Sequence, residues 1–512
     1  MVCWNRWRQN ILKRRSVRCE TSIVRRECYR GKGLTSDVSR FTTEALPFTI
    51  KQKTMPESAS TFIAKSTVKS ADLDHRRKIN FNIGRYNAAV PAGKAQFPDI
   101  SSARERAKNI KWRAIETLDE QLENFEAAFT KRGGKVIWAA DAGQALQEIK
   151  KICEAKNCLS IVKSKSMVTE ELKLNDFLHE QGIESVETDL GEYIQQLDGE
   201  PPYHIVTPAM HKSKEDVAKL FYEKLHTAPN LSPEALTLVA REKLRKKYTE
   251  AEIGITGGNF LIADIGAIAV TENEGNARLS CAFPKTHIAI VGIEKIIPSV
   301  TDLGLFWPLL SAFGTGQKIT VYNTIVTGPR QANETDGPDD MYVILLDNGR
   351  TNLLANPKTR ESLYCIRCGA CLNACPVYKN IGGHAYGTTY SGPIGAVITP
   401  HLRQMDEWKH LSYASSLCGN CTEVCAVKIN LHELLLENRH EAVKQGAVPG
   451  SEKIAWKIWK KASLNRNLMN KGSRKIKNWV VNKLFKGWTA HRADLDFSEK
   501  TFNEMWREKK KE

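Results

Sequence analysis

The sequence predicts an α/β domain on a mostly parallel or mixed sheet, then an α-helical cysteine-rich region, then a helical tail rich in tryptophan. Three observations predict it. Strand-like and helix-like patterns alternate between residues 101 and 354. Seven of the thirteen cysteines lie between Cys365 and Cys425, and five of the eleven tryptophans follow residue 446. Such alternation is the mark of helices packed on a parallel sheet. The 512 residues allow two to four domains, at roughly 100–200 residues each. Apolar residues at 41% and charged residues at 26% exclude a wholly disordered chain. The longest apolar stretches, such as Phe260 to Val270, reach about half of the roughly 20 residues that a membrane-spanning helix needs.

The net charge of +17 belongs to the ends. Residues 1–54 hold 13 Lys and Arg against 4 Asp and Glu, and residues 451–512 hold 17 against 7. The 396 residues between hold 45 against 47, so the body is close to neutral and nucleic acid is not an expected partner. The cysteines are as uneven: six are scattered at 3, 19, 28, 153, 158 and 281, and seven are gathered. A secreted disulfide framework would be short and cysteine-dense throughout. This distribution points to a local metal site in a reducing compartment.

Residues 1–54 are Arg-rich, lack helical or alternating period, and hold too little apolar surface to offset the entropy of ordering them. They read as a disordered arm, a transit-like leader, or the product of an upstream start with translation beginning at Met55. Residues 55–100 form an N-terminal extension to the domain over 101–354. From about residue 100, Ile110, Ala114, Leu118, Leu122, Phe125 and Phe129 recur at helical spacing until Gly133-Gly134 stops them. KVIWAA reads as a strand, Ala145 to Ala155 as a helix, Leu159 to Lys163 as a strand and Thr169 to Glu180 as a helix. The alternation continues through HIVTPA and the helix EDVAKLFYEKL. Residues 252–346 are richer in strands: two in GNFLIADIGAIAVTENEGNARLS, a buried one in HIAIVGIEKIIPS, and two more in KITVYNTIVTGP and MYVILLDNGR. A boundary near 355 separates this domain from the cysteine region over 355–445.

CIRCGACLNACP, Cys365 to Pro376, is C-x2-C-x2-C-x3-C-P, the bacterial [4Fe–4S] ferredoxin run whose fourth cysteine ligates the other cluster. Three thiolates two residues apart on a tight turn can reach three corners of one cube, and Gly369 lets the backbone come close. Zinc would more naturally use two separated C-x2-C pairs. The second run, LCGNCTEVCAVKI, holds Cys418, Cys421 and Cys425, with Ser415 where a leading cysteine would stand and Ala426 where proline would. With the exchange, one cluster takes Cys365, Cys368, Cys371 and Cys425. The second takes Cys375, Cys418 and Cys421 and is one thiolate short. Its fourth corner is left to another residue, solvent, a partner, or a [3Fe–4S] form. The linker YKNIGGHAYGTTYSGPIGAV reads as a loop around the clusters or a docking surface, with His384 a weaker claimant to the missing ligand. Asn430 and Glu433 stand at capping-box positions before an apolar face of Leu431, Leu434 and Leu435. Clusters carried on helices follow from this.

Elsewhere the signals are dull. Gly257-Gly258 and Asn273 to Asn276 are turn chemistry, and KSKSM at 163–167 reads as a solvated lysine face before an anion site. His211 and His287 stand alone, and no catalytic constellation can be assembled. The basic tail over 446–512, with Trp456, Trp459, Trp479, Trp488 and Trp506, suits docking onto protein or peripheral contact with an acidic membrane surface.

The glycine-rich ITGGNFLIADIGAIAVTENEGNARLSCAFPKTHIAIVGIEK, followed by both cysteine runs, resembles the lactate utilization protein B family over about residues 60–510. The resemblance implies a LUD domain related to CoA-transferases and ribose-phosphate isomerases, retaining the scaffold rather than the chemistry. It implies two [4Fe–4S] clusters on the seven cysteines, and the iron–sulfur subunit of a three-protein bacterial cytoplasmic system oxidising L-lactate to pyruvate. Such a chain passes on electrons taken by a partner, and no residue is assigned as catalytic. The alternative is that the α/β domain itself binds a carboxylate or acyl substrate on which Glu272 or Glu274 acts. A zinc-bearing nucleic-acid protein is a further rival. The basic leader and Ala426 depart from the family pattern.

Overall fold

A computed structural model describes residues 56–484 and 493–510. The leader with its three readings, and Trp488, lie outside the described residues. The described chain forms two compact units, one ending at Gln445 and one beginning at Gly446.

The first unit is built on a six-stranded sheet. Its strands are β1 (Lys135–Ala139), β2 (Ser160–Lys163), β3 (Glu184–Glu187), β4 (Ile253–Thr256), β7 (Thr286–Gly292) and β10 (Asp340–Leu346), in the order β1-β10-β7-β4-β2-β3. Every pairing is parallel, with Thr286 opposite both Asp340 and Ile253. β4 and β7 are buried along their whole length, as their continuous apolar runs require when helices cover both faces. A second sheet joins β5 (Phe260–Ile262), β6 (Ala267–Glu272), β8 (Ile296–Ile297) and β9 (Tyr322–Val326) in the order β8-β5-β6-β9. There β5 and β6 form an antiparallel hairpin, β6 pairs antiparallel with β9, and β8 runs parallel to β5.

Several elements differ from the sequence reading. The helix from residue 100 is two helices, Ile100–Glu116 and Leu118–Lys131. Between them the hydroxyl of Thr117 donates to the Arg113 carbonyl, a back-bond that bends helices. The helix expected over 169–180 is likewise two, Met167–Leu172 and Leu174–Glu180, parted by Lys173 in the left-handed region. HIVTPA is not a strand. The Nδ1 of His204 accepts the N–H groups of Val206 and Thr207, and Tyr203 N–H reaches the Pro208 carbonyl, so this backbone closes on itself. The strand that completes the sheet is β3, whose ESVE shows little apolar pattern.

The N-terminal extension holds two helices, Glu57–Ala71 and Leu73–Lys94, joined at Asp72, whose carboxylate caps the second through the His75 N–H. The second packs on the helix Leu303–Gly314, and the first lies against the cysteine region at Pro376–Ile381, His384–Tyr386 and Met405–Trp408. The cysteine region is wholly helical, including Ala370–Ala374, Gly392–Leu402, Asn420–Glu423 and Leu431–Lys444. Leu431, Leu434 and Leu435 are buried as expected, yet Asn430 at the N-cap makes no side-chain cap bond and the capping box is not formed. Of three apolar clusters in the unit, the largest takes in Ile79, Phe125, Phe306, Val343, Tyr378 and Leu434 and so joins the α/β domain to the cysteine region. The second unit carries the helices Gly450–Ser463, Arg466–Asn470, Arg474–Leu484 and Phe502–Lys509, with Trp456, Trp459, Trp479 and Trp506 exposed. Among the described residues no helix is long and apolar enough to cross a membrane.

Candidate iron–sulfur sites

The two cysteine runs repeat one backbone device. Arg367 and Gly369, on either side of Cys368, have φ of 62° and 80°; Leu417 and Gly419, on either side of Cys418, have 54° and 79°. Glycine takes the second left-handed position without cost, and a short helix starts immediately after it in each run. The repeat extends one step back. The N–H of Arg367 points at Cys365 Sγ at 3.4 Å, and the N–H of Leu417 donates to Ser415 Oγ at 3.1 Å. Ser415 therefore stands in the place of Cys365.

Cys365, Cys368, Cys371 and Cys425 line one cavity, walled by Ile205, Ile394, Val427, Ile429 and Leu431. Cys425 comes from the second run, and the charge of each of the other three bears on the Cys371 thiol. Cys375, from the first run, sits with Cys418 and Cys421, and both bear on the Cys421 thiol. The runs thus exchange one cysteine each. Tyr386 is buried within the field of both Cys375 and Cys371.

The donor set suits an iron–sulfur group. Burial pushes the thiol of Cys425 up to about 12 and those of Cys368 and Cys421 up to about 11, and raises Cys371 and Cys375 as well. Thiols so placed give up their protons only to a cationic guest. Backbone N–H groups already face the sulfurs: Ile429 donates to Cys425 Sγ at 3.2 Å, and Ala426 and Ala370 to Cys368. Such bonds spread the charge that four thiolates bring. Cys418 differs: it is exposed, and the Asn420 N–H and the Ser416 hydroxyl lower its thiol.

The α/β domain holds the first set from behind. The guanidinium of Arg104 clasps the carbonyls of Cys425 and Glu423 at 2.9 and 2.7 Å. Lys111, wholly buried, donates to the carbonyls of Glu294 and Ile296 and lies within the field of Cys365; burial draws its amine down to about 7. Arg350, 1% exposed, forks onto both oxygens of Glu171 and reaches Glu294 at 2.6 Å. The field of Arg350 and Arg367 overcomes burial and holds Glu294 at about 2. Arg367 stacks on Tyr390, whose hydroxyl donates to Glu171. Lys111, Lys295, Arg350 and Arg367 thus face two carboxylates, leaving net positive charge behind the first set.

Residues 122–346 match the LUD domain family, and residues 361–429 match the 4Fe-4S dicluster domain. Lactate utilization protein B of Bacillus velezensis is 48% identical over 373 residues, covering 72% of this chain and 78% of that protein. The Bacillus subtilis protein of the same name is 47% identical with the same coverage. That of Bacillus cytotoxicus is 43% identical over 420 residues, covering 80% of this chain and 88% of that protein. The chain belongs to the lactate utilization protein B family. A crystal structure of a DUF162 family protein from Deinococcus radiodurans is matched at 14% identity and a TM-score of 0.26, covering 45% of this chain and 98% of that one.

In this member of the family the other sequence candidates separate. Lys163 is no solvated face: it is fully buried, with Glu187 at 2.6 Å and Glu170 at 3.1 Å. Lys165 lines a cleft with Glu272 and Glu274. His287 is core, bonded through Nε2 to the Thr256 hydroxyl and kept neutral by burial, which lowers it to about 4. His384 is not among the second cysteine set. Its Nε2 donates to the Pro201 carbonyl, and its ring meets His211 and Tyr203. His211 in turn bonds Glu200, whose carboxylate also pairs with Lys212, so this cluster ties the linker to the α/β domain. Sequence reasoning passed over Lys111, Glu171, Glu294, Lys295 and Arg350. Only the lone charges inside GIEKII gave a signal, ions within an apolar run.

Proposed function

We propose that this chain is the iron–sulfur electron-transfer subunit of a multi-protein bacterial cytoplasmic system that oxidises L-lactate to pyruvate. The observation that carries the reading is the exchange of Cys375 and Cys425 between two runs of cysteines, which gathers seven sulfurs into two sets. Cys365, Cys368, Cys371 and Cys425 would hold one [4Fe–4S] cluster, and Cys375, Cys418 and Cys421 the other. Bound there, the clusters supply one-electron carriers. The chain's own residues do the rest. Ile205, Ile394 and Leu431 exclude water from the first set, Arg104 fixes the loop that bears Cys425, and the buried cations offset thiolate charge. Two electrons and two protons leave L-lactate when it becomes pyruvate, and a partner subunit is the first to take the electrons. The exposed edge at Cys418 suits hand-over to another protein, and the cationic tail suits partner or peripheral membrane contact. The names of the relatives support the lactate assignment.

The test is anaerobic purification of the full chain with iron and sulfide analysis, then mixing with its partner subunits and L-lactate. Bleaching of the cluster absorbance only when partners and lactate are both present is the expected result. Zinc without sulfide, or bleaching by lactate with the chain alone, would overturn the reading. A second reading, in which the α/β domain itself binds a carboxylate, is favoured by one observation: the cleft that holds Glu272 and Glu274 ends at Cys368.

A further inference from the structure

The cleft lies where the carboxyl ends of parallel strands meet, the place where open α/β sheets bind ligands. Ser164 to Ser166 follow β2, Asp189 follows β3, Gly257 to Asn259 follow β4, and Lys295 follows β7. The cysteine region closes it with Arg367, Cys368 and Tyr390. Its volume is about 240 Å³, below the roughly 300–1,000 Å³ of pockets for drug-sized ligands. A small metabolite fits and a dinucleotide does not.

The lining is charged in an asymmetric way. Lys295 is 8% exposed, yet its ammonium makes no hydrogen bond or ion pair among the described residues. It faces the cleft and not the cysteine cavity. The Nη1 of Arg367 is buried without a partner. The carboxylates, by contrast, are engaged: Glu272 accepts the N–H groups of Ala277 and Arg278, and Glu274 that of Leu190. Burial, helped by Asp189, lifts Glu274 to about 7. Arg367 meets Glu294 at 3.4 Å through Nη2, which leaves its Nη1 and the Lys295 ammonium side by side as donors for an anion. Asp189, Glu272 and Glu274 also line the cleft, with one lysine, Lys165, 3.6 Å from Asp189, among them; they disfavour a doubly charged phosphate and suit a hydroxyl or oxo group. We propose that this cleft binds a small monocarboxylate bearing a hydroxyl or oxo group, with its carboxylate on Lys295 and Arg367 against Cys368. This deepens the second reading above.

The test uses full-length protein with its iron intact and follows binding of L-lactate, pyruvate and propionate by calorimetry, alongside the EPR spectrum of the reduced protein. Saturable binding of L-lactate or pyruvate, weakened at least tenfold in Lys295→Met and in Glu274→Gln with iron content unchanged, is expected. A change in the EPR line shape on saturation should accompany it. No saturation by either acid, equal binding of propionate, or binding untouched in both variants would overturn the proposal. Iron content reports separately on the electron-transfer reading, so the two can fail independently.

A different observation carries a second inference, which rests on the two-cluster reading. Ser415 accepts the N–H of Leu417 as Cys365 accepts that of Arg367, at the equivalent point of the repeated backbone device. We infer that the Ser415 hydroxyl, deprotonated on binding, is the fourth ligand of the second cluster. An oxygen is a harder ligand than thiolate and makes one iron distinct from the other three. The expected results are about eight irons in the wild-type chain, about seven with an oxidised three-iron EPR signal in Ser415→Ala, and about eight with an altered second spectrum in Ser415→Cys. Unchanged iron and EPR in Ser415→Ala, or a three-iron signal already present in the wild type, would overturn it. A wild-type chain without iron would instead sink the two-cluster reading.

Discussion

The two cysteine sets share one backbone device and differ in everything around it. The first is closed in by the α/β domain, with four sulfurs, an apolar wall and buried cations behind it. The second has three sulfurs, one of them on exposed Cys418, and a serine where the fourth would be. Short-range spacing builds the pair, and long-range packing makes its members unequal. Solvent and nearby charge set the potential of an iron–sulfur centre. On the proposed reading, the buried cations raise the first centre's potential against the lowering effect of its apolar wall, and the exposed edge at Cys418 would be the place of exchange with partners.

The largest effect that can break this comparison comes from the exchanged cysteines. Cys425→Ala should remove the EPR signal of the first centre and about half of the iron, although Cys425 belongs to the second run. Cys375→Ala should remove the second centre's signal. The opposite assignment would undo the pairing. Next is Gly383 in the linker, where an added Cβ would lie 1.8 Å from the Tyr203 carbonyl oxygen. Backbone cannot yield as a side-chain end does, so Gly383→Ala should cost about 1–3 kcal/mol, read as a lower Tm. An unchanged Tm would mean that the linker does not bind the two halves.

Lys111→Met sharpens the contrast. At pH 6, below the value of about 7 to which burial draws this amine, losing a buried positive charge near Cys365 should lower the first centre's midpoint by about 60 mV, a tenfold change for one electron. The second centre should not move, as spectroelectrochemistry would show. The smallest effect concerns acid. Burial, the main cause, draws His75 and His287 to about 4 and His204 to about 3, from an ordinary 6.5. Below 6.5 the unfolded chain binds protons that the folded one refuses, so stability is full above that pH and declines from 6.5 toward 3. Tm measured across this range should fall steadily, and His204→Gln should flatten the slope.

The cysteine runs were legible because their pattern lies in local spacing, and β7 and β10 because the buried stretches Ile288–Val291 and Val343–Leu346 are continuously apolar. What escaped was decided at a distance. Lys163 looked solvated because Glu187 and Glu170, which answer its charge, stand on other elements. HIVTPA has a strand's composition, and only the folded chain turns the His204 ring onto the backbone that follows it. The cleft has no motif, since it gathers a few residues at the ends of five strands and from two segments of the cysteine region. Ser415 was visible in the alignment of the runs, but its equivalence to Cys365 rests on a hydrogen bond that spacing alone does not give.

The apolar core that runs from Ile79 through Phe306 to Leu434 has a calorimetric consequence. Regions that share one core melt together, so the cysteine region should unfold in the same endotherm as the part of the α/β domain that this core joins to it. On the proposed reading, oxidative loss of a cluster would loosen the α/β domain as well as the cysteine region, and damage by oxygen would bear on the lifetime of both.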